Sequence, residues 1–414
     1  MGSQSSRDKR ITHPYPSLRG LSRCGDGIPT KTTEEDRKEA ALWQDHLYCV
    51  NPRCEHHKKS GQDNICFLKR YGEQPTMLLF GCRTCGRNFS LRNQTPLYHM
   101  KISDNKFYAI VRCIGEGNGV RSTARICEVD KDTVLRVVRR VGEHVENIFS
   151  LLLRDLWPKE VQLDELWSFL VKKEKSLTEI DRLHTEFGDC WIWVAFDPET
   201  KVVLGYILGK RTKDNAIKLL QQVKRVLGEG CFPLFTSDEL SCYKDALIEV
   251  FGVPEQPERK GTRGRLPKPR KVPGPRQKYA VVHKERKNNR IVKVERRIVL
   301  GDPKEIDQVI ASSSYSKTIN TSGVERVNGK LRAGQGRLTR KTLGFSKDKG
   351  IMQASVAVYL GYDHFCRDHL GLRERIDPEP DDSTKRWIRR TPMMAIGATK
   401  KRWSVKELIL FRSP

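Results

Sequence analysis

The sequence has no long apolar run and begins without the apolar stretch that is typical of a signal peptide. No segment of about 18 consecutive apolar residues occurs, which argues against a membrane-spanning helix. Without a signal peptide we expect a reducing compartment, where the 12 cysteines indicate metal binding or catalysis rather than disulfides.

The chain has fewer acidic than basic side chains. The chain carries 51 Asp and Glu against 77 Lys and Arg, which gives a formal net charge of +26 and an isoelectric point near 9.7. A positive excess of this size favours a polyanionic partner, with nucleic acid first. An anionic membrane surface would predict an amphipathic anchor or an apolar span, and the sequence has no run of about 18 apolar residues. The hydrophobic content of 37% indicates globular domains rather than a disordered chain.

Changes in composition divide the chain into segments. Residues 1–40 are polar and show no apolar periodicity, so they predict a flexible tail. The segments that follow are a cysteine-bearing module at 41–92, a helical stretch at 93–150, an α/β domain at 155–370 and a C-terminal extension at 371–414.

The α/β domain is predicted from runs of strand length. VQLDELWSFL, CWIWVAFD and KVVLGYILG are three apolar runs, and FPLFTSD is a fourth, shorter one. Between the third and the fourth run, DNAIKLLQQVKRVLG has the spacing of an amphipathic helix. This order of elements predicts an α/β sheet that is covered by helices.

A basic segment interrupts this domain at about 254–310. PEQPERKGTRGRLPKPRKVPGPR has too much proline, glycine and positive charge for a core, so we interpret the segment as an insertion. KYAVVHKER and RIVKVERRIVLG follow, and their alternation of apolar and charged residues predicts a solvent-facing hairpin.

Four cysteines form two closely spaced pairs in the module at 41–92. Cys49 and Cys54 are separated by four residues, and Cys82 and Cys85 by two. Four thiolates on two tight loops close a tetrahedron around Zn²⁺, and a module this small needs a metal because it buries little apolar area. The alternative is a set of scattered buried cysteines without a metal.

The segment NKFYAIVRCIGEGNGVRSTARICEVDKDTVLRVVRRVGEH predicts a helix, a short helix and a longer helix, separated by turns. The longer helix has one apolar side. Its other side is basic and suits a recognition helix in the major groove of DNA. The basic residues are Lys131, Arg136, Arg139 and Arg140. An ordinary amphipathic bundle explains the pattern equally well, but the position beside a zinc module and a basic α/β domain favours DNA binding.

Adjacent carboxylates, Asp164 and Glu165, lie inside the first predicted strand. Successive side chains of a strand point to opposite faces, so these two do not line one site. Asp238 ends the fourth predicted strand, at a position where α/β sheets gather functional groups. Asp164 and Asp238 are therefore the carboxylates that we expect to act together.

The third candidate is Glu325 in TSGVERVNGKLR. As a helix, this segment places Glu325, Asn328 and Arg332 on one face. Three carboxylates from two strands and a helix are able to hold a pair of Mg²⁺ ions about 4 Å apart, while Arg332 neutralises phosphate. Simpler interpretations are a capping box from Ser322 to Glu325, a turn residue at the second carboxylate and a buried, ion-paired acid at the first.

These motifs resemble the transposases of the insertion-sequence-one family, in its longer-insertion branch, from about residue 45 to near the C-terminus. DELWSF is similar to the first-aspartate motif of that family, TSD to its second motif and GVERVNGKLR to its glutamate motif. CVNPRC with CRTCGRNFS is similar to its zinc ribbon, and EGNGVRSTARICEVDKDTVLRVV to its helix-turn-helix.

The resemblance implies an α/β, RNase H-like catalytic domain that follows a zinc ribbon and a helix-turn-helix domain. It implies a DDE active site in which Asp164, Asp238 and Glu325 bind Mg²⁺ or Mn²⁺, with Asn328 and Arg332 in support. The implied function is DNA transposition: the protein binds the terminal inverted repeats of an insertion sequence, cuts at the element ends and joins the 3′ ends to target DNA.

We therefore expect a homo-oligomer on double-stranded DNA, in the cytoplasm with the nucleoid or in the nucleus of a eukaryotic host. The stretch from Tyr362 to Phe365 departs from the family, which usually has an Asn there. Two other functions stay open at this point: a DNA-binding regulator that no longer catalyses, and a nuclease on the same fold that cuts without joining ends.

Overall fold

The structure is a computed structural model that describes residues 33–44, 46–71, 77–258, 267–288, 290–376 and 387–412. These residues form two compact units, one that ends at Gln94 and one that starts at Thr95. Most of the predicted flexible tail lies outside the described residues, whereas its last part belongs to the first helix. No helix within the described ranges is long and apolar enough to cross a membrane.

The first unit is a small antiparallel sheet that follows a helix. Its elements are α1 (Glu34–Gln44), β1 (Ile65–Tyr71), β2 (Met77–Cys82) and β3 (Asn88–Ser90). Phe80 of β2 is fully buried and contacts the rings of Phe67 and Phe89. Arg70 of β1 forms ion pairs with Asp36 and Glu39, which tie α1 to the sheet.

The second unit combines a helical part with a mixed sheet. Its helices are α2 (Asp104–Gly115), α3 (Val120–Cys127), α4 (Lys131–Leu152), α5 (Glu179–Arg182), α6 (Lys213–Val226), α7 (Cys242–Phe251), α8 (Pro303–Ser312), α9 (Ser322–Gly334), α10 (Lys349–Gly361), α11 (Pro392–Ala395) and α12 (Val405–Leu410). Its strands are β4 (Glu160–Leu170), β5 (Gly188–Phe196), β6 (Val203–Gly209), β7 (Leu234–Asp238), β8 (Val253–Glu255), β9 (Arg270–Val272), β10 (Lys278–Lys287), β11 (Arg290–Leu300), β12 (Glu374–Arg375) and β13 (Trp387–Ile388).

Six of these strands form one sheet in the order β11-β10-β7-β4-β5-β6. β4, β5 and β6 are antiparallel neighbours, β7 runs parallel to β4, and β10 runs parallel to β7. The four predicted strands and the predicted helix α6 are confirmed, and the fold is mixed α/β. β4 and β5 are central and covered on both faces, which explains their nearly continuous apolar sequences.

One strand of the predicted insertion belongs to the core of this sheet. β10 pairs with β7, and its residues from Tyr279 to Val282 are buried. Ala280 packs with Leu234 of β7 and Ile306 of α8. The prediction of a solvent-facing hairpin outside the core is therefore wrong for β10, whereas most of β11 is exposed.

Helices cover both faces of the sheet. On one face, Tyr243 of α7 contacts the buried Trp193 ring of β5. On the other face lies α9, and beside it α10 packs against α4. An added Cβ at Gly142 of α4 would lie 2.6 Å from the Cβ of Ala354 of α10, so these two helices approach closely. The helical stretch at 93–150 therefore shares a compact unit with the α/β domain.

Candidate functional site

The parallel pairing of β4 and β7 brings two of the predicted carboxylates side by side. Leu163 pairs with Ser237, so the next residues along both strands, Asp164 and Asp238, are neighbours on one face. Glu165 points to the opposite face, where its carboxylate accepts from Arg211 Nη2 at 3.0 Å. The predicted division of this acidic pair between two faces is confirmed.

Helix α9 carries Glu325 to the same face of the sheet. The backbone N–H of Val324 donates to Gln162 Oε1 at 3.0 Å, which fixes the start of the helix to β4. An added Cβ at Gly323 would lie 2.6 Å from the same Gln162 oxygen and 3.1 Å from the Phe196 ring. A glycine is therefore required for the helix to approach the sheet this closely.

A lysine that the sequence analysis did not single out joins two of the carboxylates. Lys284 Nζ lies 3.0 Å from Asp238 Oδ1 and also donates to Glu325 Oε1. Thr321 Oγ1 lies 3.1 Å from that Asp238 oxygen and 3.0 Å from that Glu325 oxygen. Asp238 and Glu325 thus share the ammonium group of Lys284, although they are far apart in the sequence.

The capping-box interpretation of Glu325 is not what the structure contains. The Ser322 hydroxyl donates to Asn320 at 2.7 Å instead of capping the helix. The Glu325 carboxylate faces Lys284 and Thr321. These two contacts hold the Glu325 carboxylate near Asp238, so it is available to a ligand that binds between the two residues.

Asp164 has a partly buried carboxylate that is held on both oxygens. Its Oδ2 accepts from Asn328 Nδ2 at 2.8 Å, and its Oδ1 accepts from the Glu165 amide at 2.8 Å. Burial raises the pKa of Asp164 to about 7, and the negative charges of Glu165 and Asp238 add to this increase. A positive ion bound here would relieve the cost of ionising this carboxyl.

Arg332 lies on the same helix as Glu325. Burial lowers the pKa of Arg332, the neighbouring Arg340 lowers it further, and the Asp164 carboxylate opposes both effects. Within the described residues, the buried Arg332 Nη1 and Asn328 Oδ1 atoms have no hydrogen-bond partner. Unsatisfied polar atoms of this kind are costly unless a ligand or water pairs with them.

The carboxylates do not form a closed metal site. In the part of the chain that the structure describes, only the four cysteines bring three or more metal-binding side chains within 4.8 Å of one another. Lys284 lies between Asp238 and Glu325 and takes up two of their oxygens. Oxygens of Asp238 and Glu325 both contact the ammonium group of Lys284, so this part of the face already holds a positive charge.

The first unit contains that cysteine cluster. The Sγ atoms of Cys49 and Cys85 are 3.5 Å apart, and those of Cys54 and Cys82 are 3.8 Å apart. All four lie within 4.8 Å of one another, which matches the predicted set and the size of a tetrahedral zinc site. His57 has its Nδ1 3.1 Å from the Cys49 carbonyl oxygen and is not part of the cluster.

Backbone groups also prepare one of these thiols for a metal. Although burial raises the pKa of Cys82, the amides of Cys85 and Thr84 together with the thiols of Cys49 and Cys85 outweigh it and lower the pKa to about 7. Asn64 Nδ2 donates to the same sulfur at 3.4 Å. Gly86, with a φ of +69°, makes the tight turn that aims these amides at the sulfur. A thiol that deprotonates near neutral pH is a ready ligand for zinc.

The three helices α2, α3 and α4 contact one another, and a three-residue turn at 128–130 joins α3 to α4. Asp130 caps α4 by accepting from the Asp132 amide at 2.7 Å. Arg136 is exposed, as is Lys131. Arg140 donates to the carbonyl of Tyr98. One of the four predicted DNA contacts is thus engaged within the protein.

Arg139 is the fourth of these predicted contacts. Its Nη2 atom lies 3.7 Å from Asp348 Oδ2, just before α10. Both side chains are exposed, so this ion pair is weak and does not prevent a phosphate contact. Lys131 also has an exposed ion pair, with its Nζ atom 4.0 Å from Asp132 Oδ1. The four residues are therefore not equivalent, and the Arg140 side chain is the most firmly engaged within the protein.

Comparison with known proteins gives limited information. No protein-family model matches the sequence, and no curated protein matches it. Among solved structures, the chain is similar to a Mos1 transposase paired-end complex with the left transposon end, at 18% identity and a TM-score of 0.15 over 37% of this chain and 57% of that chain. It is also similar to a Mos1 strand transfer complex, at 18% identity and a TM-score of 0.16 over 37% and 57%.

A Mos1 mariner paired-end complex with Mn is similar as well, at 18% identity and a TM-score of 0.15 over 36% of this chain and 56% of that chain. The chain spans a little more than half the length of these proteins. Similarity at this level carries no information on chemistry, which has to come from the side chains of the site.

Proposed function

We propose that the protein is a DNA transposase with an RNase H-like catalytic domain and a DDE active site. The observation that carries this proposal is the placement of Asp164 and Asp238 on neighbouring strands. Glu325 lies beside Asp238, and both carboxylates contact the ammonium group of Lys284. Carboxylates brought together in this way need a positive ligand, because like charges repel. Mg²⁺ or Mn²⁺ is the ligand that suits three carboxylates.

The other side chains of the site have roles that follow from their contacts. Asn328 holds one oxygen of Asp164, which leaves the orientation of that carboxylate defined. Arg332 carries a buried, unpaired N–H group and is suited to bind a DNA phosphate. When bound, the divalent ion supplies Lewis-acid stabilisation of the phosphodiester and lowers the pKa of a bound water or 3′ hydroxyl.

The remaining modules supply DNA binding in this proposal. Zn²⁺ bound by the four cysteines stabilises the first unit, whose apolar core is small. Helix α4 and its exposed basic residues contact double-stranded DNA at the terminal inverted repeats. A reaction that joins two element ends to target DNA requires both ends at once, so the assembly on DNA is a homo-oligomer.

A strand-transfer assay tests this function. DNA carrying the gene with both its flanks serves as substrate, because the terminal repeats should lie there. We expect Mg²⁺-dependent cleavage and joining by the natural protein, and loss of both in Glu325→Gln with DNA binding retained. Binding without any cleavage in Mg²⁺ or Mn²⁺ would identify a regulator, and cleavage without joining would identify a nuclease.

A further inference from the structure

Lys284 occupies an unusual position for a lysine in a cluster of acids. Its side chain is only 16% exposed, and its ammonium group contacts Asp238 and Glu325. Thr321 Oγ1, 3.2 Å away, is a third oxygen neighbour. The ammonium group therefore has an oxygen shell like the one that a metal ion would take from these side chains.

The backbone determines this position. Val282 of β10 pairs with Asp238 of β7, and Lys284 is two residues further along, so its side chain leaves the sheet on the same face. Tyr279–Val282 of β10 are buried in the sheet core, and Lys284 continues the same strand, where it pairs with Val294 of β11 and so does not lie on a loop. The pairing of β10 with β7 thus determines that the Lys284 side chain reaches the carboxylates.

We infer that Lys284 is the internal counter-ion of Asp238 and Glu325 and competes with a divalent cation for their oxygens. The inference rests on the proposed function. The oxygens that accept from Nζ are the oxygens that a metal ion would need, so the lysine must move aside when a metal binds. Lys284 then acts as a positioning residue that sets the metal affinity of the site.

Mn²⁺ binding measures this competition without any enzymatic activity. Zinc-loaded protein is titrated with Mn²⁺, and free Mn²⁺ is followed by electron paramagnetic resonance. The variants are Lys284→Gln, Lys284→Arg and the control Lys293→Gln, whose lysine is exposed on β11 and pairs with Glu295. Circular dichroism verifies folding, and Lys284→Met replaces the glutamine variant if that variant does not fold.

We expect Lys284→Gln to bind Mn²⁺ about tenfold more tightly, because a unit charge at about 4–6 Å changes ionic equilibria by at least that factor. Lys284→Arg and Lys293→Gln should bind Mn²⁺ as the natural protein does. Unchanged or weaker binding by Lys284→Gln, with binding lost in Asp238→Asn, overturns the inference and leaves the proposed active site intact. Undiminished binding by Asp238→Asn overturns the metal site itself, and the inference with it.

Discussion

The buried carboxyl of Asp164 should make the protein less stable, and removing its charge should stabilise it. Its pKa is raised from 3.8 to about 7, mainly by burial. A raised carboxyl pKa means that ionisation costs the folded state more than the unfolded state. The cost is absent below the unfolded pKa, grows as the pH rises and is complete above the folded pKa. This difference corresponds to roughly 4 kcal/mol.

Asp164→Asn keeps the shape of the side chain but cannot ionise. One accepting oxygen becomes an NH2 group, and the unpaired Oδ1 of Asn328 accepts from it when the Asn328 amide turns over. Because this rearrangement subtracts about 1 kcal/mol, we expect the variant to be more stable by about 3 kcal/mol at pH 8. At pH 4 the two proteins should differ by less than about 1 kcal/mol, since the carboxyl is protonated in the folded protein. A more stable Asn variant would show that the Asp164 carboxylate costs the fold free energy, as expected of an acid that serves chemistry rather than stability.

Urea unfolding at the two pH values, without added divalent ions, measures this difference. Chelators are avoided because they would remove zinc from the cysteine cluster. Asp307→Asn, at an exposed position on α8, is the matched control and should change stability by less than about 0.5 kcal/mol. A variant at position 164 that is less stable at pH 8, or equally stabilised at both pH values, would refute the reasoning.

Three further predictions concern the rest of the structure. Gly323→Ala should cost about 1–3 kcal/mol in urea unfolding and reduce DNA cleavage, because the new Cβ meets Gln162 at 2.6 Å and pushes α9 from the sheet. Cys82→Ser should expose the first unit to limited proteolysis while the second unit stays resistant, because the proposed zinc site of the four cysteines would hold the small module together. Arg136→Ala should weaken DNA binding and reduce its salt dependence by about one counterion. Arg140→Ala should instead lower the free energy of unfolding by about 1 kcal/mol, because Arg140 donates to a backbone carbonyl. Equal effects of the two variants in a salt-titrated binding assay would contradict this assignment.

Local patterns were enough to predict much of the fold. β4 and β5 are buried on both faces, so their sequences are apolar runs that stand out from their surroundings. The four cysteines were predictable because each pair lies on one tight loop, and zinc geometry then requires the pairs to meet. In both cases the deciding information lies within a few residues of the chain.

Lys284 and the core position of β10 depend on contacts between distant segments. The basic, proline-rich stretch before β10 suggested an insertion, and the charges after it suggested an exposed strand. The available signal was the run from Tyr279 to Val282, four apolar residues in a row, which is typical of a buried parallel strand. Even with that strand assigned, its register against β7 decides whether Lys284 meets Asp238, and sequence alone does not contain this register.

Helix α4 shows the same limit for surface residues. The periodicity of α4 separates an apolar side from a basic side. Of the predicted apolar stripe, Val134, Val138 and Val141 are buried, whereas Leu135 is only partly buried. Periodicity does not reveal which basic side chains find partners within the protein. Arg140 has such a partner in the segment before α2, and only the tertiary structure shows it.

Anomalous diffraction from crystals grown with Mn²⁺ tests the central claim most directly. The claim is that Asp164, Asp238 and Glu325 bind divalent metal for phosphodiester chemistry. We expect a manganese peak within about 2.5 Å of carboxylate oxygens of Asp164 and Asp238, with Lys284 Nζ moved away from Asp238. The zinc peak at the four cysteines is the internal reference for anomalous signal. A clear zinc peak without manganese at these carboxylates would contradict the claim.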